Sequence, residues 1–350
     1  MVADPVRRHD PESIAESGSS GIAAGPRGVP PIDQRHRTDD PARVMRRGRM
    51  MIGYPCSNLT VGCSASRTFR LASFSPERLS ETVNASLDCL ETILQWNADH
   101  GIGFFRISSD TVPFASHPVM TVDWRAEFGS RLAEIGSFVR RHGMRLNCHP
   151  GQYILLNAPN EEIVARSIAE LDYTAALFDL MGLDHTHKMQ IHTGGVYGDK
   201  PAAIARFIER YHQLPEPIRR RLVIENDERQ FSLADNLAIH EATGIPLLFD
   251  VFHHSLHHNG ESIGEALDRF MPTWDGHGLP SMDYSSQNPD KQAGAHTVSV
   301  RLDDFGSFFE QLGDRDVDIM LEIKDKEASV LAVQRWLASR TAGNPAAVAG

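Results

Sequence analysis

The 350-residue chain is predicted to be an α/β protein, a single-domain (β/α)8 TIM barrel over residues 50–345 behind a disordered tail at 1–49. Three observations carry this reading. Eight short apolar runs alternate with helical segments over about 290 residues, against ~250 for a typical barrel of this kind. Histidines and acids gather at the C-terminal ends of those runs, the end at which such barrels carry their sites. No GxGxxG follows the first run, which disfavours the competing doubly wound open sheet.

The elements follow in order. Residues 1–49 are rich in Pro, Gly, Ser and Arg without apolar periodicity, hence the tail. Its Arg43 to Arg49 end reads as a solvated linker, with contact to a phosphate backbone as the sharper alternative, and Met50 or Met51 is a candidate start. Met51 to Tyr54 is the first strand. Ser75-Pro76-Glu77 supplies an N-cap with proline at the first helical position, and Leu79, Val83, Leu87, Leu90 and Leu94 recur at helical spacing until Gly101. Phe104 to Ile107 is the second strand, and Trp124, Phe128, Leu132, Ile135 and Val139 mark a helix closed by Gly143. The third strand runs from Arg145 to His149, and its helix from Ile163 to Leu180 stops at Gly182. Lys188 to His192 is the fourth strand, followed after a Gly-rich loop by a helix from Pro201 to Gln213. Leu222 to Glu228, turning acidic at its C-terminal end, and Ile245 to Asp250 are the fifth and sixth; between them Ser232-Leu233-Ala234-Asp235 is a capping box opening a helix to Thr243, with Gly244 as its stop. Weaker patterns give a seventh strand at Ser281 to Tyr284, a helix from Leu302 to Leu312, an eighth strand at Ile319 to Ile323, and a last helix from Ala328 to Arg340.

Composition bounds the function. Hydrophobic residues make up 41% and charged ones 23%, ample for a large core, and no apolar run reaches the ~18 residues of a membrane span. A cytoplasmic, monomeric protein without a membrane partner is expected. The net charge of -11 argues against broad, nonspecific polyanion binding, although acids gathered around cations account for part of it. Cys56, Cys63, Cys89 and Cys148 show neither CxxC spacing nor disulfide density and are expected to be thiols.

At or just past the strand ends stand His149, His192, Glu225, Asp250 with His253, Asp283, His296 and Glu322. Any one alone is more simply a hydrogen-bonded polar group. Together at one barrel mouth they point to cations, because so many buried carboxylates would otherwise repel. Asp250-x-x-His253 can address neighbouring ions, and Glu225 is suited to bridge a pair. Mixed imidazole and carboxylate donors favour Zn2+, Mn2+ or Fe2+ over Ca2+. More ligands than one ion can use implies two or three ions, the apparatus of phosphoester hydrolysis. Gln152 and Tyr153, on a loop directly after His149, are candidates for probing a base, with Tyr54 joining them. The Gly194 to Gly198 loop and Lys324 and Lys326 are weaker phosphate-contact candidates, and His257 and His258 read as surface groups.

Several motifs in one order resemble the UV-damage endonucleases: Gly53-Tyr54-Pro55 with Asn58-Leu59-Thr60, Asn97-Ala98-Asp99-His100-Gly101, Pro113-Phe114-Ala115-Ser116-His117-Pro118 and His149-Pro150-Gly151-Gln152-Tyr153. Leu222 to Arg229, Asp250 to His254, Gly294-Ala295-His296 and Glu322-Ile323-Lys324 complete the set. The resemblance implies a barrel of the endonuclease-IV type with a manganese-preferring cluster, Zn2+ or Mg2+ being alternatives. It implies incision of damaged double-stranded DNA immediately 5′ of cyclobutane dimers and 6-4 photoproducts, leaving a 3′-hydroxyl and a 5′-phosphate. By match, His117, His149, His192, Glu225, Asp250, His253, His296 and Glu322 take metal-ligand roles, Glu225, Asp250 and Glu322 being catalytic, and Tyr54, Gln152 and Tyr153 take lesion-probing roles. One departure stands out: some members carry Lys and His in the seventh strand, the lysine modified to a carbamate, where this chain has Ser281 and Asp283. Asp283 can still bind a cation; Ser281 cannot form the carbamate. A sugar isomerase of the xylose-isomerase type and a non-cleaving lesion-binding protein are the competing readings.

Overall fold

In the computed structural model, residues 50–342 other than Gln152 are described; the proposed tail at 1–49 lies outside them. Eight four-residue strands close into one parallel barrel in chain order: β1 Ile52–Pro55, β2 Phe104–Ile107, β3 Arg145–Cys148, β4 Met189–His192, β5 Leu222–Glu225, β6 Leu247–Asp250, β7 Ser281–Tyr284 and β8 Asp318–Leu321. Closure is explicit, since Ile52 and Gly53 of β1 pair with Ile319 and Met320 of β8, which excludes the open doubly wound sheet. Gly53 is required there: an added Cβ would lie 2.2 Å from the Phe104 carbonyl oxygen. At the opposite rim the buried Asp318 carboxylate accepts from the Met51 amide at 2.9 Å and from Arg145 at 2.8 Å, tying β1, β3 and β8 together.

Around the barrel run α1 Pro76–Asp99, α2 Trp124–Arg141, α3 Glu161–Leu180, α4 Lys200–Gln213, α5 Glu216–Arg219, α6 Leu233–Thr243, α7 Val251–Leu256, α8 Ile263–Phe270, α9 Leu302–Leu312 and α10 Glu327–Ala342. The expected caps are present: Ser75 accepts from the Arg78 amide, and Ser232 and Asp235 form a reciprocal box. Three helices are additions to the sequence reading. α5 is a single turn, and α8 opens on a second capping box, Ser262 with Glu265. α7 begins without any loop, because Asp250 ends β6 and also caps the helix, its carboxylate accepting from the His253 amide at 2.8 Å.

The expectation of four free thiols is corrected for one pair. Cys63, in the loop after β1, is bonded to Cys89 of α1 across 26 residues, with Cα atoms 5.8 Å apart, while Cys56 and Cys148 are free. The pair meets through tertiary packing of a loop on a helix, which residue spacing does not encode. A loop of this length closed by a disulfide is worth roughly 3–4 kcal/mol in the chain-entropy picture. Cys89→Ser should therefore lower the free energy of unfolding by about 3 kcal/mol in urea titrations, and thiol counting on unreduced, unfolded protein should find Cys56 and Cys148 only. Among the described residues no helix is long and apolar enough to cross a membrane.

Candidate metal centre

Side chains two apart on a strand share a face, so each strand that brings an acid or histidine to the mouth sends a second residue inward one layer below. Gln190 lies under His192, and Asn147 under His149. Glu225, 1% exposed, is the focus. One of its oxygens lies 3.3 Å from His149 Nε2 and 3.8 Å from His192 Nε2, and the other lies 3.1 Å from His253 Nδ1. His253 Nδ1 is also 3.6 Å from Asp250, which the capping turn places beside it. Three groups have ligand atoms all within 4.8 Å of one another: His149, His192 and Glu225; Glu225, Asp250 and His253; Asp250, Asp283 and Glu322. Glu225 and Asp250 each belong to two of them.

The donor set fits divalent cations. His149 Nδ1 lies 2.9 Å from the Pro150 carbonyl and His296 Nδ1 2.9 Å from the Glu322 carbonyl. A carbonyl only accepts, so in both rings Nδ1 carries a proton and Nε2 is the atom left to face an ion, the usual preparation of a metal-binding imidazole. Among the described residues, buried Asp250 Oδ2 and His192 Nδ1 have no hydrogen-bond partner, a costly state unless a ligand engages them. Burial alone would raise Glu225, but His192, His149 and His253 hold it well below the usual carboxylate range. Burial pushes Asp250 up to about 6 despite His253. Burial would also lower His253, yet Asp250 and Glu225 beside it carry it up to about 11. The acids and imidazoles are thus sharing protons where cations would serve.

Below this layer lies a device absent from the sequence reading. Arg106 of β2, 2% exposed, donates to both Asp283 oxygens at 2.7 and 2.8 Å, to Gln190 Oε1 at 2.7 Å and to Glu322. Gln190 in turn donates to Asp283 at 2.7 Å and to Glu225 at 3.0 Å. Burial would raise Glu322, and Arg106 outweighs it, holding the carboxyl at about 2. Burial likewise works to raise Asp283 against Arg106; with the guanidinium on both oxygens, we assign the ionised pair. A charged residue and an amide on the inward face of predicted strands were the available signals for this layer.

The cleft above, about 730 Å³, is lined by His149, His192, His296, Glu322, Arg106 and Cys56 with Lys324 and Lys326. Lys326 reaches it from the left-handed backbone region, at φ 53. Tyr153 stands 79% exposed after β3; Gln152 lies outside the described residues. One expectation is corrected. Tyr54 is fully buried, its hydroxyl donating to Asn97 at 2.6 Å and accepting from Asn58 at 2.8 Å, so it is a core residue with no ring face open to a base. His117 is exposed on the loop after β2, its Nδ1 accepting from the Val119 amide at 3.0 Å. In the Gly-rich loop, Gly194 has a packing reason, since an added Cβ would meet the Oδ1 of buried Asn157 at 2.3 Å.

Comparison with known proteins agrees with this geometry. The model of the family described as UV-endonuclease UvdE matches residues 50–347. A UV DNA damage endonuclease of Clostridium perfringens is 36% identical over 285 residues, covering 81% of this chain and 69% of its own length. A putative UV-damage endonuclease of Acanthamoeba polyphaga mimivirus is 33% identical, covering 82% and 91%. Among solved structures, that of SacUVDE superposes with a TM-score of 0.80 at 43% identity, over 83% of this chain and 99% of its own. With a family match across nearly the whole barrel and its mouth, the chain belongs to the UV-endonuclease UvdE family.

Proposed function

We propose that this endonuclease cuts DNA immediately 5′ of cyclobutane dimers and 6-4 photoproducts, leaving a 3′-hydroxyl and a 5′-phosphate. The observation that carries the reading is the Glu225 carboxylate, within 3.1–3.8 Å of three imidazoles at the floor of a cleft edged by lysines. His149, His192, Glu225, Asp250, His253, His296 and Glu322 would hold the ions, with Mn2+ as the preferred metal. Bound divalent ions would supply an activated water and stabilise charge on the phosphate oxygens. The chain's own part is to orient. Asn226 fixes the end of β6, donating to the Asp250 carbonyl at 3.0 Å and accepting from the Asp250 amide at 2.9 Å. Lys324 and Lys326 are suited to meet flanking phosphates, and a poorly stacked lesion costs less to open than an intact step.

Purified protein with Mn2+ and an irradiated duplex should give a nick 5′ of each photoproduct. Uncut lesion strands beside a working control would refute the assignment. Aldose–ketose conversion without nicking would select the isomerase reading, and tight retention without cutting the lesion-binding one. Tyr153→Ala should leave the unfolding midpoint unchanged while weakening binding of damaged duplex about tenfold or more, since stacking on an aromatic ring contributes ~1–3 kcal/mol per base. Gln152→Ala should shift lesion discrimination in the same direction; wild-type affinity of both variants for damaged duplex in a binding titration would remove this loop from recognition.

A further inference from the structure

Of the three ligand groups at the mouth, two mix imidazole with carboxylate, and the third, Asp250, Asp283 and Glu322, is carboxylate alone. That third group already has a cation: Arg106 bonds two of its three members. Asp283 accepts three hydrogen bonds, two from Arg106 and one from Gln190, and it is fully buried, so an ion would have to compete with the guanidinium for it. Ser281, the other residue of β7 considered at this position, is buried and offers no anionic donor.

We propose that Arg106 is the resident cation of the third group, so that the centre takes two metal ions, and that Asp283 is a positioning residue rather than a ligand. This rests on the metal-centre reading above. Charge supports it: Glu225, Asp250, Asp283 and Glu322 face one guanidinium, and two divalent ions leave a single positive charge to meet a phosphodiester. A third ion beside Arg106 would leave three positive charges at a largely buried site, an arrangement that desolvation opposes. Geometry supports it as well. Arg106 and Gln190 join Asp283 to Glu225 and Glu322 in one hydrogen-bonded layer, which fixes the orientation of both carboxylates before any ion arrives.

The test counts Mn2+ bound to the full-length, metal-free chain by equilibrium dialysis and by the electron paramagnetic resonance of free Mn2+. The wild type and Arg106→Lys should bind two ions. Asp283→Asn should also bind two, with affinity weakened about 10- to 100-fold, as for other residues that support ligands. Arg106→Met, by uncovering Asp283 and Glu322, should admit a third. Three ions on the wild type, reduced to two in Asp283→Asn, would overturn this inference and leave the metal-centre reading standing. A folded Arg106→Met that still binds two would overturn the role given to Arg106. Should that variant not fold, the counts on the wild type and Asp283→Asn decide. Binding of no ion would overturn the metal-centre reading itself, and this inference with it.

Discussion

Glu225→Ala is expected to reduce incision of irradiated duplex by roughly 10³-fold, because metal-assisted charge stabilisation is worth several kcal/mol and each ~1.4 kcal/mol is a factor of ten. Among the mouth residues this one has the most to lose. Glu225 and Asp250 each contribute to two ligand groups, but only Glu225 is within 4 Å of three imidazoles. Removing its carboxylate leaves His149, His192 and His253 without the one anion that all three approach, while Asp250 stays beside His253 alone. Glu225→Gln should lose nearly as much, since an amide keeps the shape and the hydrogen bond from Gln190 has to be rearranged while the charge is gone. Single-turnover cutting with saturating Mn2+, beside circular dichroism to establish folding, measures the effect. Full activity in the alanine variant would mean that Glu225 does not bridge the ions.

Much of this architecture was legible in the residues, and what was not has identifiable causes. The strands are short and apolar and end in chemistry-bearing residues, so Leu222 to Glu225 and Asp250-x-x-His253 announced both their element and their site. Arg106 and Gln190 stood inside predicted strands, but the polar residue in a run such as Phe104-Phe105-Arg106-Ile107 reads as facing outward until the closed barrel shows that its interior needs a cation. Tyr54 misled for the converse reason: its place at the end of β1 suggested the mouth, and only the packing of α1, which brings Asn97 to its hydroxyl, turns the ring into the core. The Ser262 and Glu265 box was readable in principle, yet α8 follows α7 so closely that the histidines between them dominated the pattern. The Cys63 and Cys89 pairing is a contact between a loop and a helix, which spacing alone does not predict.

Stripping divalent ions should lower the midpoint of thermal unfolding by on the order of 10 °C. The buried carboxylates of Glu225, Asp250 and Asp283, with the half-buried Glu322, carry more negative charge than Arg106 can offset, and Asp250 Oδ2 lies buried without a hydrogen-bond partner among the described residues. The metal-free protein must bear that repulsion and desolvation, whereas the unfolded chain does not. An ion that binds only the folded state at a thousand times its Kd stabilises it by about 4 kcal/mol, and each kcal/mol moves the midpoint by roughly 2–4 °C in chains of 150–250 residues. Scanning calorimetry of metal-free protein, with and without Mn2+, reads the shift directly and needs no DNA. Ca2+, which prefers a shell of oxygens, should restore less of it than Mn2+ because the mouth supplies imidazoles. Glu225→Ala should lose most of the Mn2+-dependent shift, while Tyr153→Ala should keep it, separating residues that hold ions from residues that meet DNA. A midpoint that does not respond to millimolar Mn2+ would show that these acids are stabilised by shared protons and Arg106 alone, and would remove the physical basis for a metal centre.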